Sequence, residues 1–122
     1  MKQVLIVEDD NDYAAILAMN FEAKNVSSPI VNSGNQAIEW LKSNKCHVII
    51  TDIRMPNGSG IELIQWNANQ PVIIPLIAVS GDLMAETETT QFCEIMGVPY
   101  MSKPLNISKL FELVEPLLFL PV

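Results

Sequence analysis

Two short runs in this chain, Val4-Leu5-Ile6-Val7 and Val48-Ile49-Ile50, are apolar at every position, without the alternation of a strand that keeps one face in water. Such runs suit strands buried on both sides, and a sheet buried on both sides needs helices above and below it. The rest of the chain agrees. Further strand-length runs lie at 30–31, 73–79 and 98–101, and segments of helical period separate all of them. Repeated β-then-α units predict a parallel sheet covered on both faces.

Between the strands, Tyr13, Ile16, Leu17, Asn20, Phe21 and Lys24 fall at helical spacing, with Asp10 or Asn11 as the N-cap. Gly34 precedes a second helical run at 37–41, and Gly60 opens a third at 61–66. A fourth helix is expected from Ala85 or Glu86 to Met96, stopping at Gly97. The fifth begins after Pro104, near Asn106, with Leu110, Phe111, Leu113 and Val114 supplying its apolar face. Pro116 bars a simple continuation of that helix, because it removes a hydrogen bond and clashes with the preceding turn. The apolar tail at 117–122 is expected either to pack along the adjacent core edge or to meet a partner or a further domain.

The 122 residues, 49% of them hydrophobic, suit one domain spanning 1–122. Pro, Asn or Ser breaks the longest apolar stretches well short of a ~20-residue membrane span. Met1-Lys2-Gln3 leads straight into a strand-like run without a signal peptide, so the expectation is a cytoplasmic protein that does not enter a membrane. Net charge is −7 and Arg54 is the only arginine among seven basic residues, which argues against direct nucleic-acid binding. Cys46 and Cys93 lack Cys-x-x-Cys spacing and have a lone His47 for company, so they read as free thiols rather than a disulfide or zinc site.

Glu8 and Asp9, Asp52, Ser80 and Lys103 each follow one of the strand-like runs. In an open parallel sheet, segments leaving the carboxyl ends of the strands converge on one crevice. Adjacent carboxylates there are costly unless a cation or a lysine neutralises them. Carboxylate oxygens with water suit magnesium, which commonly bridges protein and phosphate. A carboxylate at Asp52 can attack phosphorus to form an aspartyl phosphate. The Ser80 hydroxyl can donate to a phosphoryl oxygen, with the small Gly81 leaving the route open. Lys103, at a junction with Pro104 where a cis peptide is allowed, can hold the phosphoryl group. Singly, these residues read as a solvated turn, a cap, a turn hydroxyl and an exposed lysine; their strand-by-strand order makes the set specific.

Over essentially its whole length the chain resembles the receiver domain of bacterial two-component response regulators, a chemotaxis-regulator-like superfamily. The matching segments are Val4-Leu5-Ile6-Val7-Glu8-Asp9-Asp10, Ile49-Ile50-Thr51-Asp52-Ile53-Arg54-Met55-Pro56, Ile77-Ala78-Val79-Ser80-Gly81 and Tyr100-Met101-Ser102-Lys103-Pro104-Leu105. The resemblance implies a flavodoxin-like (βα)5 fold with strand order 2-1-3-4-5. It implies that Asp52 accepts phosphate from a histidine kinase or histidine phosphotransfer protein. Asp9 and Asp52 would ligate Mg2+ with the backbone carbonyl of Arg54, and Glu8 would act mainly through a bound water. Lys103 would contact the phosphoryl group, and Ser80 and Tyr100 would form a switch pair. Glu8 stands where the family often has Asp, and Ser59 replaces the acidic residue common before the loop glycine, here Gly60. Neither departure removes a required group.

On this reading the chain catalyses only its own aspartyl phosphorylation and dephosphorylation, so it is not an enzyme in the turnover sense. Its output face, the fourth helix, fifth strand and fifth helix, would meet an effector, an output domain or a second copy. Arg54 and Asp82 are expected to form an ion pair across the mouth of the crevice and to set phosphoryl lifetime. A pseudo-receiver that binds partners constitutively is the alternative. Flavin binding would want a Ser/Thr/Gly-rich phosphate loop where Glu8-Asp9-Asp10 stands, and a haloacid-dehalogenase-like phosphatase would want an acid where Arg54 stands. The arginine-poor end of the chain weakens a winged-helix DNA-binding output.

Overall fold

A computed structural model describes residues 2–54, 59–81 and 87–120. Residues 55–58, Asp82, the expected start of the fourth helix at Ala85 or Glu86, and Pro121-Val122 lie outside the described residues. In chain order the elements are β1 (Val4–Val7), α1 (Asn11–Glu22), β2 (Ile30–Val31), α2 (Gly34–Ser43), β3 (Val48–Asp52), α3 (Gly60–Ala68), β4 (Leu76–Ser80), α4 (Thr87–Met96), β5 (Tyr100–Ser102) and α5 (Ile107–Val114). A 3-10 turn, Glu115–Phe119, follows. The five strands form one sheet in the order β2-β1-β3-β4-β5 with every pair parallel, as the sequence led us to expect.

Every residue of β1, β3 and β4 is buried, which is the two-sided burial that the unalternating runs demanded. Successive strand residues point to opposite faces, so the sheet sorts its apolar side chains into two cores. Val4, Ile6, Ile50 and Ile77 pack with Leu17 and Phe21 of α1 and Leu110 and Val114 of α5. On the other face Leu5, Val7 and Ile49 pack with Ala37 of α2, Leu63 and Ile64 of α3 and Cys93 of α4. Phe21 and Phe111 meet edge to face, with centroids 5.2 Å apart. Burying each such large side chain contributes roughly 1.5–3 kcal/mol.

Polar side chains start the helices. Asp10, of the two candidate caps, accepts the amides of Asp12 and Tyr13 at 3.1 Å each. Ser33, Ser59 and Asn106 cap α2, α3 and α5 in the same way. Lys24 falls beyond the end of α1, and Asn25 just after it takes the left-handed conformation. Gly97 ends α4 with φ +69°, the conformation for which glycine is favoured.

Three strand boundaries differ from expectation. β3 runs on to Asp52, two residues beyond its apolar run. β4 starts at Leu76 rather than at residue 73, because the Asn67 side chain occupies both backbone groups of Ile74 and Pro75 has no amide to continue the ladder. β5 starts at Tyr100 rather than at residue 98, with Pro99 contributing only its carbonyl, to the Ala78 amide at 2.9 Å.

Pro116 sits in the first turn of the 3-10 segment, where its missing amide costs nothing. That turn carries Leu117 and Leu118 onto the α1/α5 core, so this much of the tail packs along the core edge. Phe119 and Leu120 stay exposed, and the Lys2 ammonium lies 3.8 Å from the Phe119 ring centroid. Cys46 and Cys93 are free and buried, and burial pushes the Cys46 thiol up to about 11 and the Cys93 thiol upward. Both thiols are therefore expected to resist alkylation by iodoacetamide at pH 7.5 until urea opens the fold; rapid labelling of the native chain, read by intact mass, would contradict their burial. Among the described residues, no helix is long and apolar enough to cross a membrane.

Candidate functional site

Parallel pairing sets Val7 opposite Thr51, Asp52 opposite Val79 and Ser80 opposite Ser102, so β1, β3, β4 and β5 end almost level. The residues at or just past those ends are Glu8, Asp9, Asp52, Ser80 and Lys103. Lys103 is aimed inward from a cis peptide bond with Pro104, and its amide donates to the Ser80 carbonyl at 2.8 Å. Its ammonium donates to Glu8 Oε1 at 2.5 Å and to Asp52 Oδ2 at 3.1 Å, joining groups 95 and 51 positions apart in the sequence.

Glu8, Asp52 and Ser80 are buried, at 3%, 9% and 2% exposure, whereas Asp9 faces water. Glu8, Asp9 and Asp52 each offer an oxygen within 4.8 Å of the others. One ammonium beside three carboxylates leaves negative charge uncompensated, and an all-oxygen donor set with an open side suits a hard divalent cation. Glu8 Oε2 also accepts the Asp10 amide at 3.2 Å, and the Arg54 amide approaches Asp52 Oδ1 at 3.4 Å.

Burial pushes the Glu8 carboxyl up to about 7, the Asp52 charge adds to the rise, and the Lys103 and Asp10 hydrogen bonds oppose it. For Lys103, burial works against the ammonium, but the hydrogen bonds to Glu8 and Asp52 outweigh it and the net shift is upward. With the folded value of Glu8 above its ordinary 4.5, this group's stabilising contribution is complete below about 4.5 and disappears as pH rises through about 7. In the presence of chelator, Glu8→Gln is expected to flatten the fall in thermal midpoint between those two values. An identical pH profile in the variant would refute the assignment.

Tyr100 lies half-buried on β5, and its hydroxyl donates to Glu94 Oε1 of α4 at 2.9 Å. Asp82, the expected partner of Arg54, lies outside the described residues.

Two supporting residues, Tyr13 and Asn32, went unrecognised in the sequence, and so did the reason for a third, Gly60. The Tyr13 ring lies 4.5 Å from the Lys103 ammonium, and its hydroxyl accepts the Leu105 amide at 3.3 Å, so one α1 side chain braces both sides of the Lys103-Pro104 junction. Asn32 donates to the Glu8 carbonyl at 3.0 Å and to Asn11 Oδ1 at 2.9 Å, steadying the turn after β1. A side chain at Gly60 would overlap the Asp52 carbonyl oxygen and come within 2.9 Å of Ile53 Cα, so α3 can start against the end of β3 only without one. The Gly60 position was legible, its reason was not.

Residues 4–115 match the family described as response regulator receiver domain. The chain belongs to this family. As a receiver domain it is a signalling domain of two-component response regulators, consistent with phosphorylation-dependent signalling. It is 28% identical to the polar-differentiation response regulator DivK of Brucella ovis, over 93% of this chain and 94% of that one. It is 27% identical to the response regulator ArlR of Staphylococcus saprophyticus, over 97% of this chain but 53% of the relative. With the Bacillus subtilis regulator PhoP, covered over 43%, that means the receiver domain spans about half the length of these two relatives. Among solved structures, the receiver domain of Francisella response regulator 1452 superposes with a TM-score of 0.85 at 26% identity, covering 97% of both chains. The receiver domain of a histidine kinase from Syntrophus aciditrophicus gives 0.87 at 26% identity, covering 97% of this chain and 90% of that one.

Proposed function

We propose that this receiver domain, residues 1–122, is a phosphorylation-dependent switch in which Asp52 takes a phosphoryl group from a histidine kinase or histidine phosphotransfer protein. The observation that carries the proposal is the Lys103 ammonium bridging Glu8 and Asp52 at the level strand ends. An Asp52 carboxylate oxygen attacks phosphorus as the phosphorus–nitrogen bond of the donor phosphohistidine breaks, and the imidazole leaves. Lys103 then has a phosphoryl oxygen to hold in place of free carboxylate charge, and the Ser80 hydroxyl donates to another. Asp9, Asp52 and the Arg54 carbonyl would hold Mg2+, with Glu8 reaching it through water; the ion would supply positive charge to the phosphoryl oxygens. Arg54, exposed at the mouth, would hinder attacking water and lengthen the life of the phosphoryl group.

The phosphorylated chain signals through Ser80 and Tyr100. Drawing the Ser80 hydroxyl toward phosphate vacates space into which the Tyr100 ring turns, at the expense of its hydrogen bond to Glu94. The face changed is α4, β5 and α5, where Ile95 is 84% and Leu113 41% exposed, which suits docking of an effector, an output domain or a second copy. The cytoplasm is the compartment in which a kinase would meet this domain, and its acidic surface does not suit direct nucleic-acid contact. A constitutive pseudo-receiver is not favoured, because Asp9, Asp52, Ser80 and Lys103 are all present. Beryllofluoride, a phosphoryl mimic, is expected to shift amide resonances across 90–112 in the wild type and to bind Ser80→Ala with a much smaller shift there. Saturation of wild-type Asp52 with that region unmoved would end the switch mechanism.

A further inference from the structure

At the amino ends of β3 and β4, opposite the carboxylate crevice, lies a cavity of about 460 Å³. Leu41, Trp66, Ile73, Ile74, Leu117 and Leu120 form most of its apolar lining. Its size falls within the roughly 300–1,000 Å³ common for small-molecule sites. One wall is fixed in advance. Asn67, 4% exposed, donates to the Ile74 carbonyl at 2.8 Å and accepts the Ile74 amide at 3.2 Å, and Pro71 and Pro75 bracket the segment so held. A wall ordered before binding loses little freedom when a ligand arrives.

The charge around this cavity is opposite to that of the molecule. In a chain of net charge −7, the described residues lining it include Lys45 and His47 and no Asp or Glu. Lys24, Lys42 and Lys103 are paired with acids, whereas Lys45 has no ion-pair partner among the described residues. His47 Nδ1 accepts the Gln3 amide at 3.2 Å, so Nε2 carries the ring proton and is the donor still to be used. Lys2 adds a further cation beside Phe119, next to Leu120 of the lining.

We propose that this cavity binds a small amphiphilic carboxylate, with its apolar tail against Trp66 and Ile73 and its acid group between Lys45 and His47. A neutral apolar ligand would gain the burial but leave both donors without an acceptor. An inorganic anion would meet the donors but not fill the apolar walls. A two-fold contact with a second copy would set the same cationic rim against itself. The proposal stands apart from the chemistry at Asp52.

Octanoate titrated into the full chain is expected to change Trp66 emission saturably with one equivalent bound, and Trp66→Phe, which keeps Trp40, should abolish the change. Octanol should bind roughly tenfold more weakly, and Lys45→Glu should weaken octanoate by a similar factor, since it turns attraction at the mouth into repulsion. Lys45 is exposed, so the variant should keep its circular dichroism and its uptake of phosphate from acetyl phosphate. Equal binding of octanol and octanoate, an unaltered affinity in Lys45→Glu, or a response that never saturates would overturn the proposal. So would a dimer in sedimentation that octanoate leaves intact, which would make this face an interface between copies.

Discussion

Asp52→Asn is expected to abolish the phosphorylated species that intact-mass measurement detects after the chain meets acetyl phosphate and Mg2+. Asparagine keeps the shape of the side chain and the Arg54 amide contact but is too weak a nucleophile to attack phosphorus. It also leaves Glu8 with sole use of the Lys103 ammonium, so the sheet should remain folded. The result is informative because two other carboxylates offer oxygens within 4.8 Å. An adduct of equal yield in Asp52→Asn would move the acceptor to Glu8 or Asp9. In Lys103→Ala the acceptor remains but its phosphoryl contact is gone, so slower uptake and a weaker conformational response are expected together.

Gly60→Val should disturb the fold and the crevice together. The atoms that a side chain would strike are main-chain atoms of Asp52 and Ile53, which cannot turn aside as a flexible side chain can. Either α3 must back away, breaking the Gly60 amide's 2.9 Å hydrogen bond to the Ile53 carbonyl, or the end of β3 must move. Overpacking of this kind costs about 1–3 kcal/mol, to be measured by urea unfolding. Because the displaced carbonyl belongs to Asp52, uptake of phosphate should fall as well. A variant with wild-type unfolding midpoint and wild-type uptake would show that the approach of α3 to β3 is not as tight as the geometry states.

The parts of this molecule that were legible in its sequence are those with local signatures. Two-sided burial marked β1 and β3, and a chemical group after each strand run marked the crevice. The parts that escaped depend on contacts between distant segments. Pro75 marks a break inside the apolar run, but nothing around Ile73 and Ile74 signals that Asn67, seven residues before Ile74, will hold that backbone out of the sheet. Tyr13 read as one more residue on a helix face, and its bond to Leu105 spans 92 positions. Glu94 gave no sign in the sequence of holding Tyr100. The tail at 117–122 offered two outcomes, and the 3-10 turn with Pro116 in its first turn chose the core edge for Leu117 and Leu118.

The level strand ends have a consequence for how such a domain can vary. The strand ends that present Glu8, Asp52, Ser80 and Lys103 are set by backbone ladder bonds inside the sheet, with Tyr13 of α1 and the close approach of α3 at Gly60 bracing them from the helices. Under the proposed function, residues on the outer sides of α4 and α5 would therefore be able to change to suit a new partner while the crevice keeps its geometry. Reactivity and address are separable in this architecture. Tyr100 sits on the sheet while its hydroxyl holds Glu94 of α4, so under the proposed switch it is a point where a change of partner would be felt by the chemistry.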